Sequence, residues 1–320
     1  MASQIEMLHL IDTLYDMFKN DNALVAIEES IAEGRNIVII RYLESDNLFA
    51  DRNILPRSFW GNEIAQIRYE ASPGIEPDLF YPTQDEEAEL RMKAHVSTDI
   101  IGGTWTRNGR LSGYGTLSFA AYGIAISSCS HSISGRNVIL SNNHVLAMWD
   151  QGIVGEPVDT IGGSNTAKLC CWLPATGTRC PNDLAMATRR NPADLRHGVM
   201  KGLPSISGRI VAPARGMQIR KSGARTSVTT GVILGFANIR VNGSFFRHVA
   251  VEDNNFSCAG DSGSAVFDVN MNLVGFHFAG AATGTCPRNG PGYFIPTDPG
   301  HAFGLAHPIE IEIFGPAVVN

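Results

Sequence analysis

A serine at residue 262 is flanked by glycines in the stretch CAGDSGSAVFD, residues 258–268. Gly260 and Gly263 free the backbone for a tight turn that brings the chain close to its neighbours. A serine on such a turn is either a nucleophile or an ordinary turn residue, and the stretch alone leaves both readings open. A nucleophilic serine needs a general base and a third group that orients the base.

Two other stretches supply those partners. His144 closes the strand-like run VILSNNHVLA (138–147), and Asp183 enters another in NDLAMA (182–187). Taken singly, the histidine could be structural and the aspartate a turn residue. The chain order His144, Asp183, Ser262 is one known order of a catalytic triad. Asp150 and Asp159 are competing orienters, but both follow the histidine closely in a turn-rich stretch and rank below Asp183.

The composition is that of a globular protein without a metal or cofactor signature. The 320 residues are 44% apolar and 18% charged, and the net charge of −6 argues against a nucleic-acid partner. No apolar run reaches the roughly 18 residues of a membrane span. The first twenty residues do not read as a secretory signal, so we expect a cytoplasmic protein. None of the six cysteines has a zinc-site spacing.

The elements that must position these residues fall into two regions. Apolar spacing predicts helices over 3–19 and 22–33, and strands over 36–43 and 63–71, so the first region is a small α+β unit. Residues 72–98, rich in proline and acidic residues, are predicted to be a linker. From about residue 100, short β-rich runs alternate with turn residues, which predicts a sandwich or barrel. We therefore expect an N-terminal extension over 1–98 and a second domain over 99–320.

Together, LSNNHVLA, NDLAMA and GDSGSAVF resemble the triad segments of the chymotrypsin-fold serine peptidases. With RKSGARTSVTTGVI and FAG, the chain is similar to bacterial trypsin-like peptidases over roughly 100–315, and only loosely over 20–75. The resemblance implies a mostly β protein with a double β-barrel. It also implies a serine endopeptidase that acts on proteins or peptides through an acyl-enzyme, with an oxyanion hole formed by the N–H groups of Gly260 and Ser262.

The resemblance also locates the pocket for the residue before the cleaved bond. LVGFHFAG (273–280) would form one wall, ending at Gly280. Glutamyl endopeptidases carry a histidine at the position of His277 and pair it with a hydroxyl residue at the position of Ser257. A histidine can donate a hydrogen bond to a carboxylate or amide oxygen. We expect a preference for Glu, then Asp or Gln; the alternative is a structural histidine. Phe278 replaces a serine that supports the aspartate in many relatives.

Two further expectations follow from the resemblance. Cys258 and Cys286 match a pocket disulfide of secreted relatives, although in a reducing compartment they would be neighbouring thiols. Residues 99–103 read DIIGG, so cleavage between Asp99 and Ile100 would create an amino terminus able to pair with Asp261. The chain would then be a zymogen. The alternative is an ordinary strand entry in a chain that is always folded.

Two other functions remain in competition. In the first, the N-terminal segment binds a regulatory partner and the peptidase-like domain is latent or regulatory. The second is an esterase with the same triad. It is weaker, because the chain lacks both alternating strands and helices and the Gly-x-Ser-x-Gly elbow of α/β-hydrolases.

Overall fold

The computed structural model describes residues 3–32, 34–43, 58–59, 65–96, 99–122, 124–126, 137–161, 163–176, 182–189, 193–297 and 311–313. Within these ranges the chain is mostly β, with an N-terminal helix-and-strand region followed by two barrels. The N-terminal elements are α1 (Gln4–Phe18), β1 (Leu24–Ala32), β2 (Arg35–Leu43), β3 (Ser58–Phe59), β4 (Ala65–Ser72), β5 (Ile75–Pro77) and α2 (Gln84–Val96).

The first helix forms where the apolar spacing predicts it. Ser3 and Glu6 form a capping box: the Glu6 N–H donates to the Ser3 hydroxyl and the Ser3 N–H to the Glu6 carboxylate. The apolar stripe faces the protein, and its buried members are Met7, Leu8, Leu10, Ile11, Leu14 and Tyr15. Burial of this stripe stabilises the helix more than its propensity does.

The predicted helix over 22–33 is wrong, because this segment is the strand β1. Leu24, Ile27 and Ile31 have helical spacing, but Val25 and Ala26 are buried too, and Ile31 is 44% exposed. Burial of consecutive residues is typical of a central strand covered on both faces. β1 pairs with β2 on one side and with a strand of the second barrel on the other. The predicted strands over 36–43 and 63–71 are confirmed as β2 and β4.

The predicted linker over 72–98 is also wrong in part, because it contains β5 and α2. Thr83 and Glu86 form a second capping box ahead of α2: the Thr83 N–H donates to the Glu86 carboxylate at 2.9 Å. The acidic run that suggested a linker is the first turn of this helix, where carboxylates interact favourably with the helix dipole.

The first barrel follows α2. The elements in this part of the chain are β6 (Ile100–Gly102), β7 (Thr104–Asn108), β8 (Gly115–Leu117), β9 (Ala120–Tyr122), β10 (Ile124–Ile126), β11 (Asn137–Ser141), α3 (Asn143–Leu146), β12 (Pro157–Thr160), β13 (Gly163–Trp172), β14 (Ala185–Arg189) and β15 (Leu195–Met200). Seven of these strands form one sheet in the order β8-β7-β12-β13-β14-β11-β9. The end strands β8 and β9 are separated only by Ser118 and Phe119, whose backbones bond Leu140, so the sheet closes on itself.

The elements of the second barrel are β16 (Gln218–Gly223), β17 (Ser227–Val241), β18 (Ser244–Glu252), β19 (Ala265–Asp268), β20 (Leu273–Ala281) and β21 (Gly292–Pro296). They run in the order β16-β19-β20-β21-β18-β17, and direct pairing of β16 with β17 closes the barrel. The far half of the long strand β17 pairs with β1, at Ala26 opposite Ile239, so the N-terminal strands continue this sheet. The last described strand, β22 (Ile311–Ile313), pairs instead with β10.

The two barrels pack against each other through a shared core. Phe119 of the first stacks on Phe276 of the second, with ring centroids 6.3 Å apart. A second cluster joins α1 and β1 to the second barrel through residues such as Ile11 and Phe236. The boundary expected at residue 98 is therefore crossed by both a sheet and a core, and the candidate residues lie where the barrels meet.

Candidate active site

His144 and Asp183 meet in the first barrel. His144 lies in the one-turn helix α3 directly after β11, and Asp183 precedes β14, the partner of β11. The imidazole Nδ1 is 2.6 Å from Oδ2 of Asp183, and the His144 backbone N–H donates to Oδ1 at 2.9 Å. Both side chains are buried. The carboxylate fixes the ring through Nδ1, and among the described residues Nε2 has no hydrogen-bond partner.

The two competing aspartates have other partners. Asp150 accepts from the Thr176 N–H at 2.7 Å and from the Asn143 side chain. Asp159 lies beside Arg107, with Nε 3.3 Å from Oδ2. Neither is placed to orient His144, so Asp183 has that position.

Ser262 lies on a turn that only glycines permit. Gly260 and Gly263 have φ of 105° and 95°. A Cβ on Gly263 would lie 2.2 Å from both the Ser141 hydroxyl and the Thr116 carbonyl oxygen. The turn is therefore pressed against the first barrel.

The serine turn and the histidine helix approach each other around Gly115. A Cβ there would meet the Val145 side chain at 2.5 Å and the Ser262 carbonyl oxygen at 2.8 Å, so the residue after His144 lies near Ser262. The Ser262 hydroxyl donates to the Phe278 carbonyl oxygen at 2.8 Å. A side-chain rotation away from this acceptor is needed before the hydroxyl can bond a base.

Asp261 is held by an internal cation. The Lys221 ammonium lies 2.7 Å from Oδ2, both groups are buried, and Thr226 adds hydrogen bonds to the same carboxylate. Ile100, whose new amino terminus was expected to pair with Asp261, is buried in β6, and its N–H donates to the Asp194 carbonyl oxygen at 2.7 Å. Asp99 lies 3.0 Å from Arg196. In this structure Asp261 thus has a cationic partner without cleavage at Asp99–Ile100.

The cleft beside Ser262 contains a segment of the same chain, residues 75–80, which we call the cleft segment. β5 pairs antiparallel with β20, with Glu76 opposite Gly280. The Asp78 N–H donates to the Phe278 carbonyl oxygen at 3.2 Å. The Asp78 carbonyl oxygen accepts from the N–H groups of Gly260 (2.6 Å) and Ser262 (3.2 Å). The two donors predicted from the sequence therefore converge on one carbonyl of the chain itself.

The cleft segment continues past Ser262 on the other side. The Leu79 N–H donates to the Pro77 carbonyl oxygen at 2.9 Å, which bends the chain at Asp78. Phe80 then exchanges two backbone hydrogen bonds with Tyr114, at 2.9 and 2.7 Å. Its ring packs on Trp105 with centroids 5.5 Å apart, and the Arg225 guanidinium lies 3.9 Å above it. Both sides of residue 78 are thereby anchored.

The Asp78 side chain enters a fully buried polar pocket. His277 Nε2 lies 2.7 Å from Oδ2, and the Arg288 guanidinium donates to Oδ1. On its other side, His277 Nδ1 lies 3.0 Å from the Glu252 carboxylate. The pocket therefore holds an alternating row of charges, Glu252, His277, Asp78 and Arg288, and it can bind a carboxylate with two cationic donors.

The other two residues predicted for the pocket lie in its walls. A Cβ on Gly280 would lie 2.8 Å from Cδ of Arg288, so the glycine leaves room for that side chain. Ser257 is buried near Glu252, because a Cβ on Gly292 would meet both their side chains. Among the described residues its hydroxyl has no hydrogen-bond partner. Ser257 therefore does not contact the bound carboxylate.

Charge coupling shifts the pKa values in the pocket. Burial opposes protonation of His277, but the carboxylates of Glu252 and Asp78 outweigh it and raise its pKa to about 9. Burial also opposes ionisation of Asp78, yet His277 and Arg288 hold the pKa of Asp78 below its usual value. Burial raises the pKa of Glu252. Asp78 is therefore ionised and faces two cations, His277 and Arg288.

Sequence reasoning missed Asp78, Glu252 and Arg288. The Cys258–Cys286 disulfide implied by the resemblance is present, with an S–S distance of 2.07 Å. Its prediction could have pointed to Arg288, which lies two residues after Cys286. This bridge brings the residues after Cys286 to the pocket, and the Arg288 N–H donates to the Ser257 carbonyl oxygen. No motif marks Glu252 at the end of β18, or Asp78 in a segment that resembled a linker.

In the part of the chain that the structure describes, no three His, Cys, Asp or Glu side chains are grouped to hold a metal ion. None of the described helices has the length and apolar character needed to cross a membrane. The arrangement of His144, Asp183, Ser262 and the two N–H donors is suited to acyl transfer by a serine nucleophile.

A family model and several solved structures are similar to the chain. The family model described as Trypsin matches residues 116–302. Similar solved structures include a Nocardiopsis protease (22% identity, 61% of this chain and 90% of that chain, TM-score 0.45) and a Cellulomonas bogoriensis chymotrypsin (18%, 68% and 98%, 0.45). A third is a glutamic-acid-specific serine protease described as using a histidine triad in substrate binding (21%, 62% and 93%, 0.42). No curated protein sequence matches the chain.

Proposed function

Because the chain belongs to the trypsin family of serine endopeptidases, we propose that it cleaves proteins or peptides after acidic residues, aspartate above all. One observation carries the acidic preference: the pocket beside Ser262 binds the carboxylate of Asp78 through Arg288 and His277. The preference for glutamate expected from the resemblance becomes secondary, because the shorter aspartate side chain already reaches both cations.

The proposed reaction uses groups whose positions are described above. After its hydroxyl rotates away from Phe278, Ser262 attacks the carbonyl carbon while His144 Nε2 takes its proton. Asp183 holds the imidazole by Nδ1 and stabilises the imidazolium. The N–H groups of Gly260 and Ser262 stabilise the negative oxygen of the tetrahedral intermediate, each donor contributing about 3 kcal/mol. His144 then protonates the leaving amine, and water hydrolyses the ester by the same steps in reverse.

The pocket discriminates by leaving buried charges unpaired. An apolar side chain before the cleaved bond would leave His277 Nε2 and the Arg288 nitrogen that binds Asp78 without an acceptor, while Glu252 and the Ala281 carbonyl oxygen would stay as the other partners. A basic side chain would add repulsion. A site built to bond a particular polar group rejects substrates lacking it by about 10⁴-fold. Glutamine can accept hydrogen bonds but carries no charge, and we place it below both acids.

A mixed peptide library tests the proposed specificity. Asp78→Arg is the enzyme of choice, because an arginine facing Arg288 expels the cleft segment and opens the cleft. We expect cuts after Asp, and fewer after Glu, that disappear when Ser262→Ala is added to the same protein. Serine-dependent cuts after basic or aromatic residues would refute the acidic preference while leaving the serine endopeptidase intact.

The occupied cleft favours a second proposal, that the full-length chain is latent. Residues 75–80 fill the positions on both sides of Ser262, so an added peptide must displace them. A serine-reactive fluorophosphonate should label Asp78→Arg faster than the unprocessed full-length chain. Equal labelling rates would show that the segment does not restrain the site. A regulatory partner that binds the N-terminal region would act by pulling this segment out.

A further inference from the structure

We propose that the chain is its own substrate and that Ser262 cleaves the peptide bond between Asp78 and Leu79. This inference rests on the proposed function, since it uses the same triad and the same acidic pocket. It assigns a self-processing site inside the N-terminal region, at a position different from the Asp99–Ile100 bond that the sequence suggested.

The register of the cleft segment selects one bond. β5 runs antiparallel to β20, and the Asp78 N–H bonds the Phe278 carbonyl oxygen. Among the described residues, the Asp78 carbonyl oxygen alone accepts from the N–H groups of both Gly260 and Ser262. A carbonyl polarised by two N–H donors carries its electrophilic carbon next to the serine, and those donors are the ones that would stabilise the oxyanion. The bond that breaks is therefore the one after residue 78.

Residues on both sides of that bond are held in place by hydrogen bonds. On the amino-terminal side, Glu76 pairs with Gly280 and the Asp78 side chain is bound in the pocket. On the other side, Phe80 is tied to Tyr114 by two backbone hydrogen bonds. Fixing a reactant on both sides of the reacting atoms converts the encounter into an intramolecular step and removes much of its entropic cost.

The bond after Asp99 lacks these features. The Asp99 carboxylate lies against Arg196, with 44% of its side chain exposed, and Ile100 is buried in β6 beside β15. Neither residue touches the acidic pocket. Cleavage there within one molecule would require β6 to leave its sheet.

The proposed step balances as an ordinary peptide hydrolysis. The Ser262 oxygen bonds the Asp78 carbonyl carbon and passes its proton to His144. The bond to the Leu79 nitrogen breaks, and that nitrogen takes the proton from His144. Water then attacks the Asp78–Ser262 ester, giving its proton through His144 to the serine oxygen. The products are a carboxylate at Asp78 and an amino terminus at Leu79.

The test follows intact mass and N-terminal sequence of the freshly purified full-length chain with time. We expect fragments 1–78 and 79–320, formed at a rate that does not depend on protein concentration. Ser262→Ala should stay intact, also when mixed with active protein, because its own segment covers the bond. Asp78→Asn should slow the cut by about 100-fold, because the pocket loses its charged ligand. Asp85→Asn, an equivalent change at an exposed residue of α2, should match the wild-type rate.

Three outcomes would overturn the proposal. The first is a chain that stays intact although Asp78→Arg hydrolyses added aspartyl peptides; the proposed function would then stand alone. The second is a first cut elsewhere, for example after Asp99. The third is cleavage of Ser262→Ala by added active protein, which would make the reaction intermolecular. If neither wild type nor Asp78→Arg cleaves any peptide or reacts with the fluorophosphonate, the proposed function fails as well.

Discussion

At the scale of single residues, the pocket depends on charge alternation. Glu252, His277, Asp78 and Arg288 alternate in sign, and all four are buried. A buried charge is tolerated when it is paired and hydrogen-bonded, and it is costly when a partner is removed. The same groups that favour an acidic ligand therefore also hold the cleft segment in place.

Removing Arg288 should abolish the acidic preference. In Arg288→Leu the bound carboxylate keeps only His277, and breaking a buried pair costs about 3–5 kcal/mol. With Asp78→Arg as the background, we would compare kcat/KM for peptides with Asp or Leu before the cleaved bond. We expect a loss of about 100- to 1000-fold for Asp and a much smaller change for Leu. Arg209→Leu, at an exposed arginine, is the matched control; a loss as large there would point to a general charge effect.

Asp183 should affect kcat because its carboxylate fixes the tautomer of His144. Asp183→Asn keeps the shape but cannot accept from the ring in the same way, and kcat should fall by about 10⁴-fold. The measurement is kcat for an aspartyl peptide, again in the Asp78→Arg background. Asp150→Asn is the comparison, because Asp150 bonds Thr176 and Asn143 instead. Equal losses in both variants would contradict the assignment of Asp183 as the orienting group.

The raised pKa of His277 predicts how stability depends on pH. Because the folded-state pKa is about 9 against an ordinary value of 6.5, protonation stabilises the fold fully below about 6.5, and this contribution is lost as pH rises through 9. Thermal unfolding of Ser262→Ala, with and without His277→Gln, measures this contribution to stability. The stability difference between the protein with His277 and the His277→Gln variant should shrink between pH 6.5 and 9.5. An advantage that stays constant would mean that His277 is not charged.

At the scale of elements, one strand organises the cleft. β20 supplies the Phe278 carbonyl, the His277 side chain and the Gly280 wall, and it pairs with β5. The turn before β19 supplies Ser262 and its neighbouring N–H donors. Since β19 and β20 are adjacent antiparallel strands, a shift in either would move nucleophile and pocket relative to each other.

The serine turn should tolerate no side chain at Gly263. In Gly263→Ala the new Cβ would lie 2.2 Å from Ser141 and Thr116 at a φ of 95°, so either the turn or the barrel must move. We expect unfolding free energy to fall by about 3 kcal/mol or more. Gly284→Ala, also at positive φ but with open space around it, should cost only about 1 kcal/mol. Chemical denaturation of both variants measures the two losses of unfolding free energy. Equal losses would mean that the contacts around Gly263 are not tight.

At the scale of the whole molecule, the N-terminal region is part of the enzyme's architecture. β1 adds to the edge of β17, and α1 packs on the same cluster as the interior of the second barrel. The cleft segment connects this region to the active site. Cleavage after Asp78 would cut the connection but leave the sheet and the core in place.

The two fragments of the processed chain should therefore stay together. We expect 1–78 and 79–320 to co-elute in size-exclusion chromatography and to separate only in denaturant. A chain that begins at residue 100 should express poorly in folded form. It loses the partner of β17 and the buried face of α1, whose apolar side chains each contribute about 1.5–3 kcal/mol. A soluble, active 100–320 protein would contradict this integration.

The sequence predicts those features of the fold and the site that depend on residues close together in the chain. The predicted triad residues each lie in a short motif, and their proposed roles were predicted from residue type and chain order. The regular alternation of β-runs and turns predicted a sandwich or a barrel, and the resemblance to chymotrypsin-fold peptidases implied the double β-barrel. β1 was misread as a helix because a strand buried on both faces has no period of two, and its apolar spacing fits a helix equally well.

The pocket was decided only by the tertiary structure. Asp78 and Arg288 are 210 residues apart, and no local pattern relates a proline-rich segment to a loop beyond a disulfide. Their contact exists because β5, just before Asp78, pairs with β20, and because the Cys258–Cys286 disulfide holds the loop that carries Arg288. Residue type and spacing thus determined what chemistry the chain can perform. The path of the folded chain decided which carboxylate faces the serine, since pairing of distant charges depends on position in space.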